Sequence, residues 1–295
     1  MSTQTTAPAA PASRARKSPY RVTFAHVLRS EWIKFWTLRS TIWTLGSTVV
    51  VMAGISFMAV YFTAQEAFGG GGGNRRESAA QMAALLHDPS IVLAGADLAQ
   101  LAVAVLGVLV ITGEYSTGMI RSTLTAVPKR LPALWAKAIV LTVVTAVTAA
   151  VAVAASWAVA FPTLHAHDAA LKLGDAETQR ILLGGVLYLV AIALLAVAIG
   201  ALVRHSAGAL ATVLGLLLVV ENVFRAIPAT FFRNVSPFLP STAGHQITTT
   251  QATIDQLRAT STATVLDPWQ GYGVMILWVV VLLAAAAVLL RRRDA

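Results

Sequence analysis

From Ile181 to Val203 the chain reads ILLGGVLYLVAIALLAVAIGALV, with no charged residue anywhere in the run. A membrane helix needs about 20 mostly apolar residues, because each rises about 1.5 Å and the hydrocarbon core is about 30 Å thick. This stretch is long enough to cross. Five more runs of the same kind flank it: Thr41 to Phe62, Ile91 to Ile111, Ala138 to Phe161, Ser206 to Glu221, and Tyr272 to Leu290. The fifth is short and loses its apolar character at Glu221, so its outer end either dips or lies at the interface. The fold class expected is an all-α integral membrane protein with six transmembrane helices.

Composition agrees. Of 295 residues, 57% are hydrophobic and 12% charged, against about 45–50% and about 25% in soluble domains. Mean hydropathy is +0.71. A soluble enzyme, a disordered chain and a fibrous repeat are all poor readings of such numbers. Cysteine is absent, which removes disulfides, thiol nucleophiles and Cys-based zinc sites.

The net charge of +9 is explained by topology. Six spans put both ends on one side. That side carries 15 of the 22 basic residues: Arg14, Arg16, Lys17, Arg21, Arg29, Lys34, Arg39, Arg121, Lys129, Arg130, Lys137, Arg204 and Arg291 to Arg293. Its only acids are Glu31, Glu114 and Asp294. Lys and Arg concentrate on the cytoplasmic side of short loops, so both termini are expected in the cytoplasm of a cell-membrane protein. A nucleic-acid partner is not expected. Trp32, Trp36, Trp43, Trp135, Trp157, Trp269 and Tyr272 fall near span ends, where amphipathic rings favour the headgroup level.

Residues 1–19 are rich in Ala, Pro, Ser and Thr, then basic, and read as a disordered tail. Residues 20–40 read as an interfacial amphipathic helix. Phe24, Val27, Leu28, Trp32, Phe35 and Trp36 recur at helical spacing, with His26, Arg29, Ser30, Lys34 and Thr37 on the other side. The helix serves as a membrane anchor, a contact for a cytoplasmic partner, or both. The six-span domain covers 41–290, and 291–295 form a basic C-terminal tail.

The segment 113–137 carries the most information. It holds Gly113-Glu114-Tyr115, Gly118, Arg121, Leu124, Pro128, Arg130 and Lys137. Glu114, Gly118 and Arg121 fall at i, i+4 and i+7, one face of a short helix. Pro128 ends the element. Glu114 stands where the second run leaves the membrane and is expected to accept hydrogen bonds from the interfacial helix, through Arg29 or Lys34.

These residues resemble the first cytoplasmic loop in permease subunits of type-two ATP-binding-cassette exporters. Glu31-Trp32 and Lys34 resemble the N-terminal interfacial helix of that family, and Ser236 to Ser241 resembles the stretch before its last span. The order of these motifs covers nearly the whole chain. The Gly69–Gly73 run and the Thr-rich segment from Ala243 to Asp267 depart from the pattern. The resemblance implies a dimer of permease subunits, identical or not, with two separate ATPase subunits that carry ATP and Mg. It makes 113–137 the ATPase-coupling element and the subunit interface the substrate path. The small residues Ala104 and Gly107 on the second run and Ala207, Ala211 and Gly215 on the fifth either pack inside one bundle or line that seam. The resemblance points to the seam, with Asp97 and Gln100 beside the path. Asp97 otherwise marks a helix start in water.

No phosphate-cradling G-x-x-x-x-G-K-[ST] is present, and neither H-E-x-x-H nor G-x-S-x-G. The chain itself is therefore expected to be no enzyme and to bind no cofactor directly. His165, His167 and Asp168 read as solvated residues of an outer loop and not as a metal site. Glu221 and Arg225, four apart, are expected to pair. Two alternatives remain: an ion-gradient-driven secondary transporter, which needs inverted repeats and buried ion ligands, and an intramembrane enzyme.

Overall fold

Six helices are long and apolar enough to cross a membrane: Arg39–Phe68, Pro89–Ser116, Leu131–Ala166, Ala176–Val203, Ser206–Ala226 and Pro268–Arg292. They belong to a computed structural model that describes residues 23–37, 39–69, 76–126, 130–227, 229–261 and 263–292. The tail at 1–19, Pro128 and the end of the C-terminal tail lie outside the described residues. No strand occurs among those described. The architecture is that of a multi-pass, all-helical membrane protein.

In chain order the helices are α1 (Phe24–Thr37), α2 (Arg39–Phe68), α3 (Arg76–Leu86), α4 (Ala96–Ser116), α5 (Met119–Ala126), α6 (Leu131–Ala166) and α7 (Ala176–Val203). Then follow α8 (Ser206–Leu214), α9 (Glu221–Ala226), α10 (Thr230–Val235), α11 (Pro240–His245), α12 (Gln251–Thr260) and α13 (Pro268–Arg292). Several run well beyond the apolar cores that define them. α6 has 36 residues and continues through Pro162, about 54 Å at the usual rise. α4 is preceded by a 3₁₀ turn at Pro89–Leu93, where Asp88 Oδ1 accepts from the Ser90 N–H at 2.8 Å. That cap starts the crossing two residues before Ile91.

The uncharged run that opened the reading becomes the hub. α7 buries nearly every residue from Tyr188 to Ala201 and packs against α4, α6 and α13. Small residues permit the close approach. A Cβ at Gly107 would lie 2.6 Å from the Ala193 carbonyl oxygen and 2.8 Å from the Ala196 Cβ. A Cβ at Gly200 would lie 2.7 Å from Ile111 Cγ2. Backbones that approach this closely gain van der Waals contact where lipid offers no hydrophobic drive.

This corrects the seam expectation for α4. Ala104 is fully buried and Gly107 is filled by α7 of the same chain, so neither lies on an open face. α8 differs. Ala207 and Ala211 are exposed, and a Cβ at Gly215 would meet nothing within 4 Å.

The fifth apolar helix is long enough to cross. α8 passes through a π-helical turn at Gly215–Val220 into α9, and the continuous element has 21 residues. The chain beyond it is no open loop. Gly271 of α13 faces the Ala243 carbonyl, and Gly244 faces Met275 and Tyr188, so α11 packs into the bundle end. Arg180 donates to the carbonyls of Ile247 (2.7 Å) and Thr249 (2.9 Å). Thr250 Oγ1 donates to Asp88 Oδ2 at 3.1 Å. The Thr-rich segment is thus a folded cap, held by side chains from α7 and the turn before α4.

Candidate functional site

α1 and α2 are separated by one residue, so α1 is tethered at one end of the bundle, next to the start of α6. A stripe of Val27, Glu31 and Phe35 is buried there. Trp32, Ile33 and Trp36 stay exposed. α1 thus has one face against the bundle and another that is open. Phe35 is buried beside Glu31, while Phe24, Trp32 and Trp36 form the exposed face.

The Glu31 carboxylate explains the arrangement. Lys137 lies in the second turn of α6, a lone cation in an apolar stretch. Its Nζ donates to Glu31 Oε2 at 2.7 Å and to Glu114 Oε1 at 2.8 Å. Lys34 Nζ donates to Glu31 Oε1 and to Glu114 Oε1, each at 2.9 Å. It also reaches Thr123 Oγ1 of α5 at the long limit of 3.5 Å. Glu31, Glu114 and Lys137 have only 5–6% of their side chains exposed; Lys34 retains 30%. Two carboxylates and two ammoniums thus form a neutral four-member cluster joining α1, α4 and α6, with α5 at its edge.

A cluster of this kind is held by geometry. Burying each charge alone costs several kcal/mol, and the mutual attraction offsets this only while all members stay paired. Partial burial alone pulls the Lys34 pKa down, but the hydrogen bonds and attraction of Glu31 and Glu114 outweigh it and raise the value above 10.5. Glu114 Oε2 has no protein partner. A cavity of about 20 Å³ adjoins Glu114, lined also by Tyr115, Lys137, Ile120 and Leu134, with room for one water.

The segment 113–137 is not one loop with one helical face. α4 continues through Gly113, Glu114 and Tyr115 to Ser116, and Gly118 then takes φ +71°. That left-handed conformation suits glycine and breaks the helix. Glu114 closes one helix while Arg121 lies on the next, α5, and is exposed. Leu124 is on α5. Arg130 occupies the position before α6 and donates to the Leu290 carbonyl at 3.3 Å. Tyr115 is half-buried beneath the Arg204 guanidinium, 5.7 Å from the ring centroid. Of the two cations expected near Glu114, Lys34 reaches it. Arg29 is exposed and makes no such bond.

At the opposite end a second polar group is buried. Tyr188 OH donates to Gln100 Oε1 at 2.5 Å and lies 2.8 Å from Ser241 Oγ. Glu221 is fully buried; its Oε1 accepts from the Ser241 N–H at 2.8 Å and its Oε2 from Thr242 Oγ1 at 3.1 Å. Glu221 and Arg225, expected to pair, make no direct ion pair: Glu221 turns to the α11 segment while Arg225 is exposed, so only a longer-range attraction joins them. Asp97 is in the first turn of α4 with its side chain 69% exposed, 3.5 Å from His245 Nε2. It stands at the helix start, and Gln100, one turn on, is tied up by Tyr188.

No protein-family model matches this chain, and no curated protein matches it. No group of three His, Cys, Asp or Glu side chains is placed to hold a metal among the described residues. His165 stacks on Phe161 at 5.6 Å and His167 on Phe68 at 4.6 Å.

In the sequence Lys137 is a member of the loop and Glu31 part of the interfacial helix. Their pairing was missed. The available signal was electrostatic: a lysine inside an apolar helix requires a nearby acid, and the basic-rich side of the chain has only three.

Proposed function

We propose that this chain is the membrane-spanning subunit of an ATP-driven exporter, working as a dimer with separate ATPase subunits. In this reading the end bearing α1 and α5 faces the cytoplasm, as do both termini, and the protein resides in the cell membrane. The observation that carries it is the neutral buried cluster of Glu31, Lys34, Glu114 and Lys137. It fastens a helix outside the bundle to two membrane helices, one of which continues the chain into the exposed α5. A push on α1 or α5 therefore reaches α4 and α6 through ion pairs instead of being lost in a loop.

Supporting features are the motif order along the chain, the excess of Lys and Arg at this end, and the lack of any phosphate-binding loop in the sequence. ATP and Mg belong to the partner. The open face of α8, with Ala207, Ala211 and Gly215, is the remaining surface for the second permease subunit, and cargo passes beside it.

An ion-driven carrier draws on the buried Glu221 and the broken helices after it. Both oxygens of Glu221 already accept hydrogen bonds from the α11 segment, which favours a structural role. The decisive test is coupling. In proteoliposomes holding the chain and its co-purified ATPase, Glu114→Gln should leave ATP turnover running while transport falls. Transport that persists without any ATPase but collapses with the ion gradient would select the carrier.

A further inference from the structure

Two of the described cations at the end of the bundle opposite the Glu31–Lys137 cluster have a structural use. Arg180 holds the cap carbonyls and lies 3.2 Å from Glu177. Arg258 lies 2.7 Å from Asp267 and 3.6 Å from Asp255. Arg225 and Arg233 are different. Both are exposed, and neither has an acid within 4 Å among the described residues. No Asp or Glu occurs between Asn222 and Ile254.

The fold brings the two segments that carry these arginines together by one device. Each arginine follows a phenylalanine, in Phe224-Arg225 and Phe232-Arg233. The chain reverses between them, and the Phe224 and Phe232 rings meet edge to face at 4.9 Å. Phe231 adds a third ring at 5.5 Å from Phe232 and is 64% exposed. Two Phe-Arg pairs thus stand side by side. Neighbouring segments that each carry an exposed cation, with no described carboxylate within 4 Å, attract an anion.

Depth identifies the anion. The fifth crossing starts at Ser206, beside the α4–α7 end that carries Arg204, and runs 21 residues to Ala226. That is about 31 Å, one hydrocarbon thickness. Arg225 therefore lies at headgroup level, with exposed Val219 and Val223 below it on the same helix and Phe231 at its side. Aromatic rings favour this level, and guanidinium forks match phosphate oxygens bidentately.

We infer that Phe224-Arg225 and Phe231-Phe232-Arg233 form a binding site for the phosphate headgroup of an anionic membrane phospholipid, with the exposed rings among its acyl chains. The site does not depend on the exporter reading. The test uses the full chain in phosphatidylcholine bilayers containing a minority of phosphatidylglycerol, with retained lipid counted by native mass spectrometry.

Phosphatidylglycerol should be retained in preference to phosphatidylcholine. The R225Q/R233Q variant should lose that preference roughly thirtyfold, about fivefold per arginine. The R225K/R233K variant, which keeps charge without the fork, should fall between. K172Q, which removes an exposed lysine in the linker before α7, should change nothing. Equal retention of both lipids, an undiminished preference in R225Q/R233Q, or displacement by inorganic phosphate would each overturn the assignment. So would a disulfide joining two copies through Arg233→Cys in intact bilayers. If R225Q/R233Q fails to fold, the wild-type comparison of the two lipids and the phosphate competition decide alone.

Discussion

Glu31 and Lys137 stand 106 positions apart in the chain and 2.7 Å apart in the fold. One lies on a helix outside the bundle and the other two turns inside α6, both nearly sealed from solvent. Removing either leaves the other's charge buried beside a like-charged or half-neutralised neighbour.

Lys137→Met should therefore cost about 3–5 kcal/mol, the usual penalty for breaking a buried pair on one side. The check is the thermal unfolding midpoint in mild detergent. The Glu31→Met/Lys137→Met double variant should be less destabilised than Lys137→Met alone, because Lys34 then pairs with Glu114 and no carboxylate is orphaned. Additive losses would show that the two residues do not interact.

The raised pKa of Lys34 sets a pH dependence with a definite sign. A cation held above its ordinary value of 10.5 adds stability that is fully present below that pH. The contribution is lost as pH rises through the higher folded-state value. The midpoint difference between wild type and Lys34→Gln should be constant from neutral pH to about pH 10 and shrink above it. A difference that grows with alkalinity would contradict the cluster.

Gly118 has open space where a Cβ would go, but its φ is +71°. Gly118→Ala should cost about 1–2 kcal/mol of local stability through the backbone alone. The loss should appear as faster hydrogen exchange in α5 while the exchange of α7 stays unchanged.

Gly107 and Ala211 make opposite predictions. Gly107→Val should destabilise the fold strongly, since even a Cβ there meets the Ala193 carbonyl oxygen at 2.6 Å. Ala211→Val should leave the unfolding midpoint within about 0.5 kcal/mol of wild type, as other surface changes do. A disulfide between two copies through Ala211→Cys, with none through Gly107→Cys, would locate the subunit seam on α8.

The six crossings were legible because apolar length alone defines them, and the Ile181–Val203 run marked the element that becomes the hub. Helix ends were not, since Asp88 and Gly118 act through local backbone geometry. The charged cluster was half legible. Glu114 and Lys34 could be connected by reasoning that a carboxylate at a membrane border needs a donor. Glu31 and Lys137 looked like ordinary members of an amphipathic helix and a loop, because their burial depends on how α1 crosses α6. The packed cap after the fifth crossing was hidden by its Thr-rich, weakly periodic sequence. Its order comes from Arg180, Asp88 and Glu221, which act from distant positions.

In the proposed function α5 meets an ATP-hydrolysing partner. The most direct measurement is site-specific photo-crosslinking from position 119, the exposed Met119 that begins α5, in the native cells. One dominant adduct with a nucleotide-binding ATPase chain is expected, lost when Arg121 is replaced by Ala. Adducts only to lipid or to other copies of this chain, in cells where transport still runs, would contradict it.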